Sequence, residues 1–446
     1  MGDCVSPAHL ARFIVDVLAV LDLPARSARY GPRGAPAYAP ARWRGLLCAG
    51  SSTGVCRTRQ RAQATDESWP FRFIAGAMPP DPDPLAHVRH TLLPASTALV
   101  AQVLLRAYAA GGLTLGARRL EGTQRHAAAA KRKAVRSPRR RAREAPRRQA
   151  VEDGMALGGR AAQGAPGPEG LVSSAAIVRR QAPQTSLAAA TAVRAARAEA
   201  RDSADPLAEE APRRAREATA RTTGHTPRGR PPAPPPPGAR PTEPSHCTDP
   251  AAQRMQTSTH PGFDQHDTAH IATAQASLWI VGHALAPHAP DQAAGEPTCE
   301  ALPPAVGAPP AAAVDNGYCS EAPIERFAAR GIEPDMATGR DAHDPSGRAR
   351  FGQTPVPPLD DASPQVTMAA TRHTAVGQAS SRVRTGTVEP VCGIITETLG
   401  FRQCSLRGLT AAAGEWGLGC LACNLQRLHT LTNGQSCSLM ISPTGC

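Results

Sequence analysis

At 446 residues the chain has room for two or three domains, yet only 3% of it is aromatic and it carries 45 prolines and 39 glycines, so packed islands separated by Ala-, Arg- and Pro-rich disordered stretches are expected. The 50 Lys and Arg against 37 Asp and Glu leave a net charge of +13, which calls for a polyanionic partner, most simply nucleic acid. The start MGDCVSPAHLARF has no secretory pattern and no stretch approaches the roughly 20 apolar residues a bilayer requires, so no membrane partner is expected. The 12 scattered cysteines read as free thiols of a cytoplasmic protein.

Residues 1–112 read as a mostly helical N-terminal domain. Apolar residues recur at helical spacing over 7–23, and 41–49 is a second short run. In DPLAHVRHTLLP, Asp83 and Pro84 suit the N-cap and first turn of a helix. Residues 96–109 continue as helix, broken by Gly111 and Gly112, and 113–122 alternates as a strand. From 125 to 245 the composition shifts to a basic, largely disordered insertion. KRKAVRSPRRRAREAPRRQ (131–149) is a solvated segment or a phosphate-contacting one, 194–221 an exposed helix or fluctuating coil, and 227–244 an extended Pro-rich linker. A strand is expected at 277–284. Residues 311–340 read strand, turn, helix, strand, with the helix closed by Gly331. Residues 341–380 read as loop, and 388–432 as helix interrupted by Gly393, Gly400, Gly408 and Gly414.

Two acidic segments stand out. In VDNGYCSE, Asp315 ends a strand, where a carboxylate reaches the crevice beyond a sheet. In TGTVEPVCGIITETLG, Glu389 opens a helix near Arg382 and Arg384. Cys420-x-x-Cys423 with Cys404 and Cys437 invites a zinc reading, but the pair lies inside a helix, whereas thiolate sites are built on turns. His260, His266 and His270 near Asp264 and Asp267 read as polar loop histidines.

Taken together, VDNGYCSE and VEPVCG, followed by the helical GEWGLGCLACNLQRLHTL (414–431), resemble the bacterial DDE-type insertion-sequence transposases. RLEGTQ, CTDPAAQRM, GFDQHDTAHIATA and the Pro-rich TPRGRPPAPPPP fall in matching order. The resemblance implies an α/β fold with an RNase H-like mixed sheet and flanking helices. It implies DNA transposition by metal-dependent strand cleavage and transfer, with Glu121, Asp315 and Glu389 holding two Mg²⁺ or Mn²⁺ ions. DNA is the implied partner, with a homo-oligomer left open. Arg382, Arg384, Arg402, Lys131, Arg132 and Lys133 are candidate DNA contacts.

The chain departs from that pattern. Glu121 and Gln124 stand where the family has the Asp and Lys of D-G-T-K. Thr396 replaces a Lys, Ala274 an acidic residue, and Cys56, Cys392, Cys404 and Cys423 fall at Phe positions. The alternatives are therefore an inactive, decayed copy or a non-catalytic basic DNA-binding relic.

Overall fold

Helices fill the chain before its first strand: α1 (Leu10–Val20), α2 (Pro40–Ser52), α3 (Thr58–Glu67), α4 (Trp69–Ala75), α5 (Pro82–Leu92) and α6 (Ser96–Ala109). The computed structural model describes residues 4–21, 39–114, 116–129, 134–135, 146, 149, 153, 174–202, 245–256, 262–287, 298, 309–314, 321–336, 364–372, 374 and 386–432. Helix α1 buries Phe13, Ile14, Val17 and Leu18, and its cap, His9, accepts a hydrogen bond on Nδ1 from the Ala11 N–H at 3.0 Å. Helix α5 starts two residues earlier than its sequence suggests, with Asp81 at the N-cap and Pro82 in the first turn. The DPDP repeat offers the same start signal twice, and Pro84 is tolerated because first-turn N–H groups have no partner within the helix. Helix α6 ends at Ala109, and Gly111 takes the left-handed φ of 69° that a Cβ would oppose.

One sheet follows. Strand β1 (Arg118–His126) runs antiparallel to β5 (Phe263–Ala274) and parallel to β7 (Ala311–Val314), which pairs parallel with β8 (Glu333–Met336). The other edge of β5 pairs with β4 (Gln253–Gln256) along its first part and with β6 (Ile280–Ala286) along the rest. The long-strand order β6-β5-β1-β7-β8 is compatible with an RNase H-like sheet. The first strand begins and ends later than the expected 113–122, and β6 begins later than 277. β6 starts only after the turn at 275–277, while the Gln275 N–H still bonds the Ala117 carbonyl at 3.0 Å ahead of β1. The strand–helix–strand reading of 311–340 is matched by β7, α8 (Glu321–Ala329) and β8, with Gly331 at φ 69°.

Three expectations are corrected. Residues 341–380 are not all loop: α9 (Pro364–Arg372) starts on a proline and turns Met368 inward, where its sulfur accepts from the Met336 N–H. His266 and His270 are not loop histidines but buried residues of β5, masked in sequence by their polar neighbours. Gly414 does not interrupt the last helix. Residues 388–432 form α10 (Val388–Gly393), a π-helical turn (Ile394–Thr398) and α11 (Leu409–Leu431), with Gly414 inside α11. A Cβ on Gly414 would lie 2.8 Å from the Leu93 Cβ, so the glycine is there for close approach.

Residues Met1–Ala128 and Gln253–Cys446 form one compact unit and Ala129–Ala252 another. The second unit contains the antiparallel pair β2 (Ala134–Val135) and β3 (Ser245–His246) and a helix, α7 (Ser174–Asp202). That helix begins well before residue 194 and buries Leu187, Ala190, Arg194 and Ala198 along one stripe, so it is not simply exposed. The Pro-rich linker at 227–244 lies outside the described residues. Among the described residues no single helix is long and apolar enough to cross a membrane.

Two hydrophobic cores flank the sheet of the first unit. One joins the N-terminal helices to the sheet face carrying Leu120, Ala272, Val281 and Val314. The other packs α10 and α11 on the face carrying Ala269, Ile271 and Ile280. Helix α11 touches both. Asn424 accepts from the Ile280 N–H at 3.0 Å and donates to the Ile280 carbonyl at 2.9 Å, so the helix continues the strand's hydrogen bonding beyond the sheet edge.

Asn424→Ala leaves both Ile280 groups without a partner and should cost about 1–3 kcal/mol in a denaturant titration. Burial holds the imidazoles of His270 and His283 down to about 4, below the ordinary 6.5. The unfolded chain then binds more protons between those values, so stability is complete above about pH 6.5 and falls as the pH drops toward about 4. Denaturation over that range should show a slope of up to about 1.4 kcal/mol per pH unit for each histidine, and His283→Gln should remove its share.

Candidate active site

Alternate residues of β1 share a face, so Arg119, Glu121, Thr123 and Arg125 point the same way. Arg119 lies opposite Ala313, and Ala313 opposite Asp335. The small alanine leaves room for the guanidinium to reach across β7, and Arg119 Nη1 sits 3.5 Å from the Asp335 carboxylate while Nη2 donates to Gln275 at 2.7 Å. Glu121 is the next residue along this face, half-buried, and level with Ile271 on β5.

Helix α10 packs across β1 and β5 on that face. Glu389 is its second residue, exposed, in the first turn, where the helix dipole favours a carboxylate. One turn on, the half-buried Cys392 lies within electrostatic reach of Glu121, Arg125 and Glu389. Its thiol is pushed up to about 12, first by burial, then by Glu121, with Arg125 opposing and Glu389 adding to the rise. Two carboxylates from distant parts of the sequence thus lie within electrostatic reach of one thiol, with the Arg125 guanidinium opposing them.

The remaining expected site residues fall differently. Asp315, Arg382, Arg384, Lys131, Arg132 and Lys133 lie outside the described residues. Arg402 is exposed and forms a surface ion pair with Glu397, the kind of contact that contributes little to stability. Gln124 is exposed on β1, and the Thr396 hydroxyl donates to the Cys392 carbonyl at 2.7 Å instead of reaching outward. Ala274 is buried in the first core, where an acidic side chain would lose its solvation. Cys420 and Cys423 are buried inside α11 with their thiols pushed up by burial, and Cys437 lies outside the described residues. Among the described residues no group of three or more His, Cys, Asp or Glu is arranged to hold a metal.

Arg125 is the residue that sequence reasoning passed over. It is buried beneath the site, with its guanidinium 5.4 Å from the Trp416 ring centroid. Its Nε and Nη2 have no hydrogen-bond partner. Burial lowers its pKa, with smaller opposing contributions from Cys392, Cys404, Cys420 and Glu397. The available signal was its place on the face shared with Glu121, although the preceding RLEGTQ gave no reason to expect that face to be covered.

A buried guanidinium with unmatched N–H groups is a stability liability. Arg125→Met, which keeps the stem and removes the charge, should raise stability by about 1–3 kcal/mol in chemical denaturation.

Residues 360–429 match the family described as the transposase DDE domain. The comparisons with curated proteins and with solved structures return no match. The matched stretch holds α9, α10, the π-helical turn and most of α11. The likeness to a transposase DDE domain is thus carried by residues 360–429, the stretch that includes Glu389 and its helix α10.

Proposed function

We propose that the protein cuts and joins DNA strands at the ends of an insertion sequence, using Glu121, Asp315 and Glu389 as its acidic triad. The observation that carries this reading is that helix α10, with Glu389 in its first turn, packs on strand β1, which carries Glu121. The third member is supported by sequence order: β1 and β7 pair as far as Leu120 opposite Val314, and Glu121 and Asp315 are the residues that follow these two in the sequence.

The triad would hold divalent metal, Mg²⁺ or Mn²⁺ with two ions per site, which when bound activates a hydroxyl nucleophile and stabilises the leaving oxygen at a phosphodiester. The chain's own contribution is positional. Strand β1 fixes Glu121, helix α10 presents Glu389 from its first turn, and the Arg119–Asp335 contact ties β1 to β8 directly below Glu121. The chain's net charge of +13 favours binding to the DNA backbone. Arg382, Arg384 and Arg402 and the basic run Lys131, Arg132 and Lys133 are the proposed phosphate contacts. Work on bacterial DNA places the activity in the cytoplasm, and bringing two transposon ends together calls for a homo-oligomer.

A second reading has an observation of its own. Arg125 sits under the site with unmatched N–H groups, and Cys404, Cys420 and Cys423 line the core above it. Such packing favours a DNA-binding relic whose catalytic geometry has loosened.

The two readings separate in a strand-cleavage assay on duplex carrying the element's ends, with Mg²⁺ or Mn²⁺ added. Glu389→Gln and Asp315→Asn should each lower cleavage by about 100-fold or more, because each removes a charged metal ligand. DNA binding in the same variants should persist. Absence of cleavage by the unaltered chain, with binding intact, would leave the relic.

A further inference from the structure

Away from that site, two arginines share a buried position between the N-terminal helices and α11. Arg61 of α3 is 1% exposed. Its Nε donates to the Val55 carbonyl at 2.7 Å and its Nη2 to the Ser51 hydroxyl at 2.9 Å. The guanidinium lies directly over Gly50, where a Cβ would come within 2.3 Å of Nε. Helix α2 is therefore shaped to receive it. Arg89 of α5 is 4% exposed, paired with the Glu415 carboxylate and donating to the Ser405 hydroxyl at 2.8 Å.

The charges around them do not balance. Arg61 Nη1 and Arg89 Nε are both buried without a hydrogen-bond partner. The Glu415 carboxylate is already engaged, accepting from the Ser405 N–H at 2.9 Å, the Ser405 hydroxyl at 2.6 Å and the Leu406 N–H at 3.0 Å. Cys48 and Cys56 lie beside the arginines, but burial raises both thiols, so they stay neutral and supply no negative charge. The two guanidiniums feel each other: burial, then Arg89, lowers Arg61 to about 10. Among the described residues, the Arg61–Arg89 pair with its one committed carboxylate leaves an excess of one positive charge and two N–H groups awaiting an acceptor. Ser405 is exposed and Cys56 half-buried, so the cluster has an edge toward solvent.

We propose that the Arg61–Arg89 cluster binds a tetrahedral oxyanion of the phosphate class. A phosphate oxygen accepts several charge-assisted N–H bonds at once, and arginine forks match that geometry. The ion comes either from solution as inorganic phosphate or from the DNA backbone. The site is independent of the carboxylate pair at Glu121 and Glu389, so it stands or falls separately from the catalytic reading.

The test uses the full chain. Inorganic phosphate is titrated into thermal melts against chloride at matched ionic strength, with phosphorus-31 linewidths as a direct measure of binding. A saturable rise in Tm of several degrees, with broadening of the phosphorus line, is expected. Arg61→Met should melt cooperatively and lose the phosphate-dependent rise. If that variant does not fold, the phosphorus line of the unaltered chain still decides. Fluorescence anisotropy with a labelled duplex then identifies the source. Displacement of DNA by phosphate at the concentration that raises Tm marks a backbone phosphate, and an unchanged DNA affinity marks the free ion. No saturable rise and no broadening beyond the chloride control would overturn the proposal.

Discussion

The fold depends on a helix with almost no free surface. Every residue of α11 from Glu415 to Leu425 is buried, because the helix fills the space between the sheet and the N-terminal helices. A buried helix must satisfy two different neighbours with one sequence. Toward the sheet it uses Trp416, whose indole N–H reaches the His270 carbonyl at 3.1 Å, and Asn424, which bonds the edge of β6. Toward the other side it uses absence of side chain. Gly414 lets Leu93 in, and Gly417 makes room for the Ser96 hydroxyl, 2.8 Å from where its Cβ would stand. Gln426, at 2.7 Å from the Ser52 carbonyl, and His429, at 2.8 Å from the Ala8 carbonyl, tie its far end to α2 and to the turn before α1.

This arrangement explains how a chain so poor in aromatic residues keeps an ordered core. The large rings it has are placed where the layers meet. Trp279 is fully buried and donates to the Gly112 carbonyl at 3.0 Å, and Trp416 packs against Phe401 with ring centroids 5.7 Å apart. Around them the core is filled by Ala, Leu and Cys. A thiol fills less volume than an aromatic ring, and Cys404, Cys420 and Cys423 are among the side chains that fill the second core.

How much of this could be read from the sequence depends on how local each signal was. The helix of 321–329 and its glycine stop were legible because capping and turn chemistry act within a few residues. The carboxylates were legible only through the motifs around them, since the strand carrying Glu121 and the helix carrying Glu389 come together through packing that neither segment encodes by itself. Strand β5 was poorly legible for a different reason. Its residues FDQHDTAHIATA alternate badly because both of its faces are covered, and a strand buried on both sides loses the period-two pattern. Gly414 misled because a glycine in a helix is normally a weakness, and its use as a contact surface appears only when the partner helix is known. Arg61 and Arg89 were invisible as a pair for the same reason: nothing in either helix announces the other.

The place where the second unit leaves the sheet has its own consequence. His126, the last residue of β1, and Gln253, the first of β4, both face His266, one from each side of β5. The chain therefore departs and returns on a single rung, two strand spacings or about 10 Å apart. Closing a loop costs entropy that grows only with the logarithm of its length, by about 0.6 kcal/mol for each doubling. The register of the sheet is thus almost indifferent to what is threaded between those two residues. In evolutionary terms this rung is a port: material can enter or leave the chain there while the strands on either side keep their partners.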